Sequence, residues 1–260
     1  MDVAVLDLRE KAAWDTAAAC QAEGTRALAL GCDVSIAEEM EAAAETVRTE
    51  FGPVSLIWAN AGVNVGGAGF TTATREELRW MYAVNVEGMI NTILAFVPAM
   101  TKQSGWRWVG FTGSLAGFIQ LPDNGPSAGY AATKYACVGI AEGLRAELAG
   151  KGIGVTIISP SAVNTRIWDD RRARPERFGG AQTAPEEKGE RWRTLGLDVG
   201  QVASIAVDGM RRGDFHVVIP RTPAEAEAIE RRHEALVRAI RFTPNSPPAL
   251  CDTSSPTGKC

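Results

Sequence analysis

Val54-Ser55-Leu56-Ile57-Trp58-Ala59-Asn60-Ala61-Gly62 carries the fold in nine residues. Six residues, apolar except for Ser55, run without the polar alternation of a half-exposed strand, then give way to small and polar ones. A run that short and apolar on both faces reads as a strand buried between two layers. Similar runs lie upstream at residues 3–6 and 27–30 and downstream at 108–112, 155–158 and 215–219. Helical patterns separate them. Residues 11–23 end at Gly24, and a helix opened by Ser35 with Glu38 three residues on ends near Phe51-Gly52. Further helices are expected over 75–84, 87–102, 130–149, 199–210 and 224–240. Strands and helices in alternation predict an α/β fold, a doubly wound parallel sheet covered by helices on both faces.

The chain has 260 residues, 45% apolar and 22% charged, with a net charge of -4. This suits a single globular domain over residues 1–242, with a Pro-, Ser- and Thr-rich tail from 243 expected to be disordered. The acidic balance argues against nucleic acid as a partner. No uninterrupted apolar run reaches the ~20 residues of a membrane span, and the N-terminus lacks a basic signal-peptide start. The five cysteines show no metal-ligand spacing, and His216 and His233 are the only histidines. Zinc or other metal chemistry is therefore not expected, and the compartment reads as reducing and cytoplasmic.

Tyr130 and Lys134 stand four apart on a predicted helix, so they share a face. A free phenol is un-ionised at neutral pH. Overcoming that takes roughly 4 kcal/mol of preferential phenolate stabilisation, which a nearby ammonium in a partly dry cleft supplies. Other candidates cluster just past strand ends: Asp7, Asp33-Val34, Asn60-Ala61-Gly62 and Ser114. Asn85 lies between two valines at an expected helix break. The carboxyl edge of a parallel sheet is where ligands bind in such folds. A serine hydrolase built on Ser114 lacks both a nearby histidine and the Gly-x-Ser-x-Gly elbow.

In order and spacing, Asn60-Ala61-Gly62, Asn85, Ser114, Tyr130-Ala131-Ala132-Thr133-Lys134 and Pro160-Ser161-Ala162-Val163-Asn164-Thr165 resemble the short-chain dehydrogenase/reductase family. The resemblance spans residues 3–219. It implies an oxidoreductase that interconverts a secondary alcohol and a ketone by hydride exchange with NAD(H). Tyr130 would be the general acid-base, Ser114 would bond the substrate oxygen, Lys134 would support the phenolate and the nicotinamide ribose, and Asn85 would anchor a relay water. Asn60, Ala61 and Gly62 would line the cofactor cleft, and Asp33 with Val34 would meet the adenine. Pro160, Val163 and Thr165 would lie at the nicotinamide end. A homodimer or homotetramer is implied too.

A carboxylate at Asp7 would accept ribose hydroxyls and repel a 2′-phosphate, favouring NAD over NADP, although Arg9 offers a phosphate a partner. The family opens with a strand, a glycine-rich turn and a helix before the strand bearing this acid. With the strand at 3–6 read as that later one, the first βα unit is expected to be missing. The chain would then be N-terminally truncated, Met1 an internal start, and phosphate binding weakened. The alternative function is a cofactor-deficient binding or scaffold protein. Residues 165–197 read as a lid. Eight basic and six acidic residues over 166–193 read as a solvated excursion, Arg166, Arg171, Arg172 and Arg174 included. Trp168, Phe178 and Trp192 read either as the lining of an apolar substrate pocket under the lid or as buried aromatics that support a long loop. The extra length between Ser114 and Tyr130 is assigned to a loop over residues 121–129.

Overall fold

The structure is a computed structural model that describes residues 1–66, 69–120, 127–182 and 186–241. The expected tail, most of the loop before Tyr130, and Gly67-Ala68 lie outside those residues, as does the Trp192 side chain. Six strands are described: β1 (Val3–Asp7), β2 (Ala27–Gly31), β3 (Leu56–Ala59), β4 (Arg107–Thr112), β5 (Ile153–Pro160) and β6 (His216–Ile219). The helices are α1 (Glu10–Ala22), α2 (Ala37–Phe51), α3 (Arg75–Tyr82), α4 (Gly88–Met100), α5 (Ala128–Glu147), α6 (Glu186–Leu195), α7 (Val199–Arg212) and α8 (Pro223–Ala239).

Every strand pairing is parallel, as the apolar runs predict. Parallel neighbours need crossovers, which the helices between successive strands supply. β1 pairs with β2, and β3-β4-β5-β6 form a four-stranded sheet. Among the described residues no ladder joins β1 to β3. A cavity of about 710 Å³ reaches from Ala4 and Leu6 of β1 along β3 to the carboxyl ends of the strands.

The expectation of a missing first βα unit, and of a truncated chain, is corrected here. The chain opens on a strand and a helix, β1 and α1, which pack on each other and lead into β2. The turn between them is Leu8-Arg9. The Arg9 backbone N–H donates to Asp7 Oδ1 at 2.8 Å, a side-chain-closed turn of the kind Asp forms readily. Such a turn needs no left-handed residue, and neither residue has positive φ. A scarcity of glycine was therefore a poor guide to whether the unit exists.

Some boundaries also shift. The strand expected over 54–59 begins at Leu56. Ser35 does not cap α2, whose N-cap is Ile36 without a side-chain bond. The Ser35 hydroxyl instead donates to Asp33 Oδ1 at 2.6 Å, and Glu39 accepts the Asp33 N–H at 2.7 Å. True capping boxes stand at Thr74/Glu77 and Thr222/Glu225.

The core lies between the sheet and α2, α4 and α5, around Val109, Phe111, Ile157, Met100 and Ala141. Two glycines let indoles lie flat on the sheet. A Cβ on Gly110 would fall 2.3 Å from the Trp58 ring, and one on Gly154 2.2 Å from that of Trp108. The continuous helical run Arg75–Met100 is long and apolar enough to cross a membrane, yet half of its most apolar window is buried inside the fold.

Candidate active site

Strand ends and α5 bring the site together. β4 ends at Thr112, whose hydroxyl accepts the Trp58 indole N–H at 3.0 Å and donates to Asn60 Oδ1 at 2.9 Å. The Thr112 carbonyl accepts from Lys134 Nζ at 3.0 Å. Lys134 is only 3% exposed, and its ammonium stands 5.6 Å from the centroid of the Tyr130 ring. One turn of helix separates the two residues, as their spacing predicts.

Asn85 occupies the expected helix break, a π-helical turn (Ala83–Glu87) between α3 and α4. Such turns free carbonyls and re-aim side chains. The freed Asn85 carbonyl accepts the Cys137 thiol at 3.2 Å. The Asn85 amide ties two elements together: Oδ1 accepts the Val63 N–H at 2.7 Å, and Nδ2 donates to Val63 O at 3.0 Å and Thr133 Oγ1 at 2.9 Å. The loop after β3 is thereby fixed to α5. Gly62 sits in that loop with room for nothing larger than a tightly placed methyl, since a Cβ would lie 3.4 Å from both Asn85 Oδ1 and Lys134 Nζ.

Ser114 follows β4, buried, with its Oγ accepting the Ala116 N–H at 3.1 Å as a 3-10 turn begins. The cavity is lined by Ser114, Tyr130, Lys134, Asn85, Asn60, Ala61, Gly62, Asp7, Asp33, Val34, Pro160, Val163 and Thr165. These residues therefore border one cleft along the carboxyl edge of the strands; of the aromatic and basic candidates beyond Thr165, Arg166 and Trp168 line it too, whereas Phe178 packs against the cluster of Val65, Trp80 and Met81. The Lys134 ammonium and Gly62 meet at the wall of this cleft, where a side chain longer than a methyl would stand against the ammonium.

Asp33 is a buried carboxylate just past the end of β2. Burial raises its pKa, but hydrogen bonds from Ser35 and from Arg177 outweigh that and hold it below the usual carboxylate range. The Cys32 thiol is pushed up to about 11 by burial and by Glu39 and Asp33, so it stays neutral.

Sequence reasoning missed Thr112, Thr133, Glu77 and Arg177. Thr112 could have been found, because it ends the strand that delivers Ser114. Glu77 overturns the reading of 166–193 as purely solvated. Its Oε1 lies 3.6 Å from Arg171 and 3.8 Å from Arg174, which is only 5% exposed. Nothing in the local pattern connects α3 with arginines about a hundred residues later.

Comparison with known proteins settles the family. A profile of the family described as short chain dehydrogenase matches residues 1–176. The chain belongs to the short-chain dehydrogenase family. C alpha-dehydrogenase of Sphingobium sp. strain SYK-6 is 26% identical over 243 residues, covering 92% of this chain and 78% of that protein. A short-chain dehydrogenase/reductase of Burkholderia phymatum, solved in complex with NAD, superposes with a TM-score of 0.83 at 27% identity, over 96% of this chain and 89% of that one. A short-chain dehydrogenase of Sphingobium yanoikuyae, solved with NADPH, shares the fold at 23% identity and a TM-score of 0.68, over 94% and 88% of the two chains. As a member of the family the chain is an oxidoreductase that works with a nicotinamide dinucleotide, NAD or NADP, on a small-molecule alcohol or ketone. The expectation that cofactor chemistry is compromised for want of a leading unit falls with the correction above.

Proposed function

We propose that the chain interconverts a secondary alcohol and a ketone, with Tyr130 exchanging the hydroxyl proton and NAD as the preferred dinucleotide. One observation carries this reading: the buried Lys134 ammonium stands over the Tyr130 ring at the wall of a cleft that Ser114 also lines. Buried away from water, that positive charge offsets the negative charge that builds on the Tyr130 oxygen as a proton is exchanged there. Tyr130 takes the alcohol proton in one direction and returns it in the other. Ser114 Oγ donates to the substrate oxygen as negative charge builds there. Bound in the cleft, the dinucleotide supplies the acceptor or donor of hydride.

Lys134 has three N–H donors, and Thr112 O takes one. The others would serve ribose hydroxyls of a dinucleotide bound along the cleft wall beside Gly62. Val163 and Thr165 flank the nicotinamide end, and Asn60, Ala61 and Gly62 line the middle of the cleft. Asn85, fully engaged by Val63 and Thr133, positions that middle segment. Asp33 and Val34 take the adenine. Asp7 ends β1 and lines the same cavity, so its carboxylate would accept adenosine ribose hydroxyls bound there and repel a 2′-phosphate, while the Arg9 side chain, 3.7 Å from Asp7 Oδ1, softens that repulsion.

Titrating the chain with NAD and with NADP tests the preference. NAD is expected to bind at least several-fold tighter, and Asp7→Ser to narrow the gap. NADP binding as tight as NAD overturns the preference.

Exposed Tyr82, Ile90 and Leu94 along α3 and α4 support association into a homodimer or homotetramer. Free Cys20, Cys32 and Cys137 support a reducing, cytoplasmic setting.

A further inference from the structure

The segment after β5 crosses the cleft rather than leaving it. From Thr165 two 3-10 turns, Arg166–Ala173 and Glu176–Phe178, carry the chain over the carboxyl edge of the sheet to the end of β2. Three arginines fasten it. Arg171 Nη2 donates to Gly66 O at 2.9 Å and, with the buried Arg174, lies beside Glu77 on α3. Arg174 Nε also donates to Gly180 O at 2.8 Å, closing the strap's own turn. Gly179 and Gly180 both have positive φ there, so the chain reverses just past Arg177 and Phe178.

The third arginine differs from the others. Arg177 Nη2 donates to Asp33 Oδ2 and to Ser35 Oγ, the latter at 2.9 Å, and its guanidinium stacks 4.8 Å from the Phe178 ring centroid. The other Asp33 oxygen is engaged by the Ser35 N–H and hydroxyl. Both carboxylate oxygens are therefore occupied by donors, and the Asp33 side chain is only 9% exposed. Asp33 borders the same cavity as Tyr130 and Lys134. A ligand amino group that donates to Asp33 competes directly with Arg177.

We propose that Arg177 is a latch on the adenine end of the cleft: it holds Asp33 until the adenine of the dinucleotide displaces it, and so sets cofactor affinity. This rests on the reading that Asp33 receives the adenine. Arg171 and Arg174 bind to partners away from Asp33, so the strap keeps its hold on α3 when Arg177 lets go. Opening is then a local swing of residues 175–180 about the glycine pair. The latch joins charges across a half-exposed contact, so salt weakens it. It favours the state without nucleotide, and its loss helps binding, the reverse of what a clamp onto bound cofactor would do.

Calorimetric titrations with 5′-AMP and with NAD on the full chain test the latch, comparing wild type, Arg177→Gln, Asp33→Ala and the double variant. Arg177→Gln is expected to tighten both ligands about three- to tenfold, and to make the Kd for 5′-AMP less responsive to added salt. Tightening should vanish in the Asp33→Ala background. Weaker or unchanged binding in Arg177→Gln, with Asp33→Ala still lowering affinity, overturns the latch and leaves the adenine reading intact. Equal affinity of the double variant and Arg177→Gln overturns the adenine reading itself, and the latch with it. Arg177 is half-exposed, so folding of the variant is expected, and circular dichroism checks it.

Discussion

Replacing Asn85 with alanine tests how the cleft is held open. The side chain is 2% exposed and makes three hydrogen bonds, to the Val63 N–H, the Val63 carbonyl and Thr133 Oγ1. Alanine leaves all three groups short of a partner. Thr133 keeps its bond to Tyr130 O at 2.7 Å, and Val63 is only half-buried, so water can reach it in part. At about 1 kcal/mol for each group that water can rescue, and more for one that it cannot, the loss comes to about 3 kcal/mol. For a chain of this size that is roughly 6–12 °C in melting temperature. Urea unfolding measures it, with an unchanged slope expected because the fold survives. NAD affinity should fall as well, since the loop bearing Asn60, Ala61 and Gly62 is no longer tied to α5. Asn85→Asp keeps the shape but replaces two donors by an acceptor facing a carbonyl, and should cost at least as much at neutral pH. A loss under about 0.5 kcal/mol for the alanine variant would refute the reasoning, because bonds between buried groups cannot be that dispensable.

Gly154→Ala should destabilise by about 2–3 kcal/mol in urea, because its Cβ would fall 2.2 Å from the Trp108 ring, against which the sheet cannot give way cheaply. Glu77→Gln removes the charge beside Arg171 and the buried Arg174 and should cost about 3 kcal/mol; trypsin should then cut residues 166–180 faster than in wild type. The depressed pKa of Asp33 makes its ionised form a stabilising one. That contribution is complete above the unfolded carboxylate value near pH 4 and is lost as pH falls through the folded one. Urea midpoints between pH 6 and pH 3 should therefore drop less steeply in Asp33→Ala than in wild type.

The sheet was legible because each strand writes its own signature. The run ending at Ala59 is apolar on both faces, and in a parallel sheet that pattern has one resolution. The cleft was legible for a related reason, since Asp33, Asn60 and Ser114 fall one or two positions past strand ends. What failed was reasoning from a single residue type. Lack of glycine before α1 suggested a lost unit, whereas Asp7 closes that turn with its own carboxylate. Ser35 looked like a helix cap because its spacing to Glu38 is right, but Asp33 competes for its hydroxyl and wins. A lid over 165–197 was legible, but its fastenings were not: they come from Glu77 and Asp33, which lie far away in sequence and whose demand for cations no local pattern reveals.

The central claim is that a tyrosine supported by a buried ammonium moves the proton while a nicotinamide dinucleotide takes or gives hydride. The decisive measurement is turnover of Tyr130→Phe beside wild type, followed by reduced-nicotinamide absorbance over a panel of secondary alcohols, with NAD affinity measured on both proteins. The account predicts at least a thousandfold loss of kcat in the variant with NAD affinity changed less than threefold. A phenylalanine variant that turns over within tenfold of wild type on a substrate the wild type accepts would contradict it.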